Sequence, residues 1–386
     1  MHSQIRRTYA YALLAYCGIT QLWVIYLAQR GLNLVEVGLC ESIFHVASFL
    51  FEVPSGVLAD RFTYKQMLTF SRIAAVLSAV IMLAGGSFWW FAASFVVSAW
   101  SYNLQSGTLE ALVYESLQDA KRGDDYPQVT SRLNAFIEVA ATGGLLVAGT
   151  LTHGHLAAAY WIAIALAIGA IVTVAGLKEP AMHQARERPE TIGSITRAAG
   201  SALRHDPKLL GLMLCDALLM AVATGYYYYF QNVMQTRHFP GWLITASLAA
   251  SAVVAVLAIR LAPRLLHFNA RKLLVSISAA LGVSLLLAGL ANSTMLIVVY
   301  LLSYALSALL EPVFNVYYNA RIPSAQRATL LSVASLLFSL AMIGLFPLLG
   351  WCIGAFGFAA TFAVLGGVLI SGTLLVSIVI HKWTTQ

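Results

Sequence analysis

The chain is cut into about a dozen apolar stretches, most of them twenty residues or a little longer, by short breaks that carry charge, glycine or proline. A hydrocarbon layer about 30 Å thick is crossed by about 20 mostly apolar residues in a helix, whose backbone groups satisfy one another inside the segment. The pattern therefore specifies a bundle of membrane-spanning helices and excludes a water-soluble globular domain. Composition agrees: 60% of the 386 residues are hydrophobic and 10% charged, against about 25% charged in soluble domains.

Hydropathy and punctuation place helices at about 9–28, 35–59, 66–85, 88–117, 128–151 and 157–177. After the longest polar stretch, Lys178 to Lys208, six more follow at about 209–232, 241–263, 272–291, 294–319, 328–350 and 357–381. The reading is an all-α membrane protein of twelve transmembrane helices in two six-helix bundles, 1–177 and 209–386, joined by a cytoplasmic linker at 178–208. Arg6 and Arg7 before the first apolar run resemble a secretory leader. That run is too long for one, lacks a small-residue cleavage site and leads straight into further spans, so it is read as a retained first helix.

The formal net charge is +7, which raises the question of an anionic partner. Of the 23 Lys and Arg residues, all but Arg30 and Arg237 fall on one side of this topology. Basic residues mark the cytoplasmic side of short loops, so both termini are expected in the cytoplasm of an inner-membrane, multi-pass protein. The charge is topology, and no nucleic-acid partner is expected. Cys17, Cys40, Cys215 and Cys352 are scattered through apolar runs without metal or redox spacing.

The two halves echo each other, as internal repeats of transporters do. Ser101-Tyr102-Asn103-Leu104 parallels Ser303-Tyr304-Ala305-Leu306, and Leu109-Glu110 parallels Leu310-Glu311 after a one-residue slip. In both cases a basic residue, Arg122 or Arg321, follows about ten residues later.

Between the second and third spans the chain reads Gly56-Val57-Leu58-Ala59-Asp60-Arg61-Phe62-Thr63-Tyr64-Lys65. This resembles the G-x-L-A-D-R-x-G-R-K signature of the major facilitator superfamily, and Phe51 to Ser55, Ser106 to Ala111 and Arg327-Ala328-Thr329 add to the likeness. Thr63 stands where glycine is usual and Tyr64 where a basic residue is usual. The resemblance implies the major facilitator fold, with helices 1, 4, 7 and 10 around a central cavity. It also implies a latch in which Gly56 permits close packing, Asp60 sits at the start of helix 11, and Arg61 and Lys65 supply charge. Glu115 and Asp119 are the partners expected for Arg61.

Ionisable groups at membrane depth are costly unless they face a partner or a cavity. Glu110, Asp216 and Glu311 lie on the order of 10–15 Å inside the ends of their helices at 1.5 Å per residue, and are candidates for a shared proton or substrate site. For Glu110 and Glu311 a permanent structural bond is the alternative. Glu52 and Glu138 read as structural partners of Arg72 and Arg132, and Glu41 as an outer polar contact. Gln21, Trp23, Tyr26, Asn103, Gln105, Tyr226, Tyr229, Gln231 and Asn315 are candidate cavity-lining residues; interfacial aromatics and helix-to-helix hydrogen bonds explain such residues equally well.

Neither a phosphate-binding loop nor a zinc, serine-hydrolase or dinucleotide motif is present, so no cofactor and no enzymatic activity are expected. The helix 4 arginine and helix 5 glycine-proline pattern of drug/proton antiporters are also missing. The sequence thus reads as a monomeric secondary transporter in the lipid bilayer, moving a small molecule by alternating access with protons as candidate coupling ion. Efflux of multiple drugs or amphipathic compounds by proton antiport is the alternative, with a membrane-embedded enzyme or a sensor as the further readings. Three acids without an obvious unpaired arginine favour a neutral or cationic ligand.

Overall fold

The computed structural model describes residues 2–152, 154–181, 207–265, 267, 270–290, 292–321 and 327–384; the linker expected at 178–208 lies outside them from 182 to 206. The side chains of Asp60 and of residues 319–321 and 327–332 are also outside the described set. Every regular element among the described residues is helical, as expected for a chain whose backbone must satisfy itself in hydrocarbon. The chain forms two compact units, Met1–Leu32 with Leu39–Ile192, and Asn33–Gly38 with Gly193–Gln386.

The first unit is built from α1 (His2–Ala15), a 3-10 turn (Gly18–Thr20), α2 (Trp23–Gln29), most of α3 (Leu34–Arg61), α4 (Tyr64–Ala84), α5 (Phe88–Gln105), α6 (Thr108–Asp119), α7 (Tyr126–Thr150) and α8 (Leu156–Ala175). Two spans expected to be continuous are broken. The first is bent by 40° between α1 and α2. The fourth is interrupted at Ser106-Gly107, where Gly107 takes φ +70°, a left-handed conformation open to glycine because it has no Cβ.

The second unit comprises α9 (Pro207–Thr236), α10 (Gly241–Leu265), α11 (Ala270–Leu290), α12 (Ser293–Arg321) and α13 (Arg327–Thr384). At 1.5 Å per residue the 58 residues of α13 would run about 87 Å, far beyond one hydrocarbon layer. The helix is broken at Gly357, which has φ 83° and ψ 160°. Among the described residues, nine helices are long and apolar enough to span a membrane, ten when α1 and α2 count as one. The count of twelve rests on also taking α5 with α6 as one span and α13 as two.

In lipid, packing and hydrogen bonds rather than apolar burial hold helices together, and each unit uses both. The first has a core of Tyr11, Tyr64, Leu68, Leu109, Leu112 and Leu133, the second one of Met213, Ile277, Leu281, Phe314 and Tyr318. Ser71 and Ser101 tie α4 to α5 by exchanging hydroxyl-to-carbonyl bonds of 2.8 Å. In the second unit Ser284 and Ser303 join α11 to α12, their hydroxyls 2.9 Å apart. Ser101 and Ser303 are the echoed positions of the sequence, so the repeat corresponds to a repeated serine tie between third and fourth spans.

Glycine sets the closest approach in the first unit. A Cβ on Gly144 of α7 would fall 2.5 Å from the Gly18 nitrogen, whereas one on neighbouring Gly143 meets nothing within 4 Å. Gly144→Val is therefore expected to destabilise the protein by about 1–3 kcal/mol, the usual cost of overpacking, and Gly143→Val by much less. Thermal unfolding of the two variants in detergent tests this; equal midpoints would contradict the packing.

Candidate functional site

Where a span is interrupted, the backbone groups at the break lose their helical partners and need others. In the first span α1 ends at Ala15, and Cys17 is extended (φ −61°, ψ 120°) before the 3-10 turn. The Ala15 carbonyl is met by Arg72 of α4, whose Nη1 donates to it at 3.1 Å. Its Nη2 donates to Ser71 Oγ at 2.9 Å and reaches Ser101 Oγ at 3.5 Å. Arg72 is 8% exposed, and its Nε is sealed from solvent without an acceptor. Every described hydrogen-bond partner of this cation is neutral, and Glu52, expected beside it, lies exposed on α3.

The second interruption places Glu110 in the first turn of α6, where a negative charge complements the partial positive charge of a helix start. One of its carboxylate oxygens, Oε2, is sealed from solvent and accepts no hydrogen bond. Between the two breaks lie Tyr11, Tyr16 and Gln105, the Tyr11 hydroxyl donating to Gln105 Oε1 at 3.0 Å. Arg72 and Glu110 are both within electrostatic reach of the Tyr11 and Tyr16 hydroxyls, yet they form no ion pair with each other. A cation, a carboxylate, two phenols and an amide thus converge at two broken spans. Gly107 and Ser106 are exposed there, and a Cβ on Gly107 would meet open space.

The other candidate residues divide between packing and polar roles. In the first unit, Gln21 is half-buried just after the 3-10 turn, and Trp23 packs edge-on against Phe95 at 5.2 Å. Tyr26 donates to the Met82 carbonyl at 3.2 Å and lies against Tyr160. Asn103 binds Ser48, joining α5 to α3. Glu41 contacts His45 one turn on, at 3.6 Å. Glu138 is exposed, as is Arg132.

In the second unit, the Tyr318 hydroxyl donates to Asp216 Oδ2 at 2.7 Å, and exposed Glu311 lies within electrostatic reach of Asp216. Tyr226 is enclosed by Phe230, Tyr300, Phe358 and Phe362. Tyr229 donates to the carbonyls of Phe346 at 2.8 Å and Leu34 at 3.2 Å. Gln231 is fully buried, with no hydrogen-bond partner for either amide atom. Asn315 is exposed.

The loop before α4 explains both departures from the signature. Thr63, in the glycine position, caps α4: its hydroxyl accepts from the Gln66 N–H at 3.3 Å, while Gln66 Oε1 accepts from the Thr63 N–H at 3.0 Å, a reciprocal capping box. Tyr64, in the basic position, donates its hydroxyl to Glu115 Oε1 at 2.6 Å. Only that oxygen of Glu115 is engaged: Oε2 is sealed from solvent without a hydrogen-bond partner. Asp119 accepts from the Ala181 N–H, and Arg61 is exposed. Gly56 is half-buried, and Lys65 Nζ donates to the Ala175 carbonyl at 3.2 Å, in the last turn of α8.

Two contributors escape a sequence reading. Glu179, at the start of the polar linker, accepts from the N–H groups of Tyr64 at 2.7 Å and Lys65 at 3.2 Å, so its carboxylate serves the first turn of α4. Arg72 was legible as a basic residue near a helix start and as an expected partner of Glu52; the signal that singles it out is its position two turns inside an apolar span.

Residues 9–267 match the Major Facilitator Superfamily family model, and the chain belongs to that superfamily. It is similar to the uncharacterized MFS-type transporter YxaM of Bacillus subtilis (strain 168), 26% identical over 144 residues, which are 35% of this chain and 32% of that protein. It is also similar to the inner membrane protein YqcE of Escherichia coli (strain K12), 26% identical over 124 residues, 28% of this chain and 29% of that one. Each match spans about a third of the relative's length. Among solved structures, the nucleoside transporter NupG superposes with a TM-score of 0.79 at 14% identity, covering 97% of this chain and 98% of its own. A bacterial homologue of the iron transporter ferroportin, in an inward-facing state, gives 0.70 at 16% identity, with 100% of both chains covered. These likenesses concern the fold.

Glu179→Ala and Thr63→Ala each remove an acceptor from the start of α4, and each is expected to cost about 1 kcal/mol, as for other helix caps. Thermal unfolding midpoints would check this; wild-type midpoints in both variants would show that the caps do not hold α4.

Proposed function

We propose that the chain is a secondary active transporter that carries a small molecule across the inner membrane by alternating access, as a monomer without cofactor or enzymatic activity. In this reading two six-helix bundles, 1–177 and 209–386, move about a cytoplasmic linker at 178–208, with both termini in the cytoplasm. Membership of the superfamily supports it. The observation that carries it is the placement of Arg72 and Glu110 at two interrupted spans. Ionisable groups at membrane depth mark substrate and ion pathways, and broken helices present free backbone ends to what passes.

Glu110 and the Asp216–Tyr318 pair beside Glu311 are the groups proposed to couple a proton. The loop residues Gly56, Asp60, Arg61 and Lys65 are proposed to latch the bundles during the cycle. On that reading Asp60→Asn slows turnover in proteoliposomes at normal expression; unchanged turnover would remove the latch.

The central test is thermal stability of the purified protein against a chemically broad ligand panel at pH 6 and pH 8, followed by counterflow of each stabilising ligand in proteoliposomes. A ligand at a hundredfold excess over its dissociation constant stabilises by about 2.7 kcal/mol. Transport requires that at least one stabilising ligand exchange across the bilayer, and proton coupling requires that a pH gradient drive its accumulation. Exchange without response to the gradient would refute proton coupling alone; binding without exchange would refute transport.

A further inference from the structure

The first unit holds two opposite charges, Arg72 and Glu110, for which the described residues supply no ion-pair partner. Arg72 is more than nine-tenths buried, bonded only to a carbonyl and two hydroxyls, with Nε unused. Glu110 has a sealed carboxylate oxygen without a donor. Buried ions are retained where they are paired. Both lie within electrostatic reach of the Tyr11 and Tyr16 hydroxyls, without forming an ion pair with each other.

Resting on the transporter reading above, we propose that this site recognises a small zwitterion, with Arg72 binding the ligand's carboxylate and Glu110 its ammonium group. A guanidinium presents a planar fork that matches a carboxylate, and the free Nε of Arg72 is part of that fork. Glu110 stands at the start of α6, beside the exposed Ser106-Gly107 break. The Tyr11 hydroxyl and the Gln105 amide, already bonded to each other, lie between as neutral hydrogen-bonding groups. An anion alone would leave the Glu110 carboxylate unpaired next to a like charge, and a cation alone would leave Arg72 unpaired. A ligand that carries both charges satisfies both groups at once.

This revises the preference for neutral or cationic ligands drawn from the sequence. That preference depended on there being no unpaired arginine, and Arg72 is one among the described residues.

The test uses the full chain in detergent, with the twenty protein amino acids and dialanine as probes, read by thermal unfolding. Each stabilising probe is compared with two charge-deleted partners: the amide, which keeps only the ammonium, and the deaminated acid, which keeps only the carboxylate. The proposal expects at least one zwitterion to stabilise the wild type, with at least tenfold weaker binding of both partners. In Glu110→Gln the preference shifts toward the deaminated acid, and in Arg72→Gln toward the amide. If Arg72→Gln does not fold, the shift in Glu110→Gln decides. The proposal is overturned if no zwitterion stabilises the protein, if all three ligand forms bind alike, or if neither substitution changes the selection. Should a ligand of another class bind and exchange in proteoliposomes while the zwitterions fail, this inference falls and the transporter reading stands.

Discussion

An arginine placed two turns inside an apolar helix dictates much of what surrounds it. In a low-dielectric interior its guanidinium needs acceptors, and a continuous helix offers none, because its carbonyls are already engaged four residues on. Arg72 takes the Ala15 carbonyl at the end of α1 and the hydroxyls of Ser71 and Ser101. The break in the first span and the cation in the third therefore complete one another. The break frees an acceptor, and the cation occupies it at the helix end that carries partial negative charge.

The fourth span follows the same logic with the opposite sign. Gly107, at φ +70°, turns the chain so that α6 begins afresh inside the unit. The new helix start favours an acid, and Glu110 is there. Tight packing lets the first break persist: Gly144 brings α7 onto the backbone of the 3-10 turn. Local chain chemistry thus produces a polar centre inside a unit whose core is otherwise leucine, valine, alanine and tyrosine.

Element type and approximate extent were legible because each helix writes its own apolar run. The two breaks were not, since neither Tyr16 to Gln21 nor Ser106-Gly107 carries a proline or a charge. Thr63 and Tyr64 read as departures from a signature, and their purpose needed coordinates: one caps α4 and the other binds Glu115. Glu179 lies 115 residues from the N–H of Tyr64 that it accepts, a separation no local pattern reports. Arg72 was visible as a charge, but pairing it with Glu52 from the sequence failed because that carboxylate is exposed on α3.

The internal repeat sharpens the meaning of what is not repeated. Both units tie their third and fourth spans through serines, at Ser71–Ser101 and at Ser284–Ser303. The residue after Ser71 is Arg72, whereas the residue after Ser284 is Leu285, buried at 1% exposure. Likewise Glu110 begins a half-helix, whereas Glu311 lies exposed within the continuous α12, next to Pro312. Packing constrains both halves alike, so the serine ties recur. A buried charge costs stability unless it is compensated, and in the first unit the break after Ala15 supplies an acceptor that the serine tie alone does not. The place of Arg72 in the first unit, with an acid at the start of α6, is the asymmetry on which the zwitterion site proposed above rests.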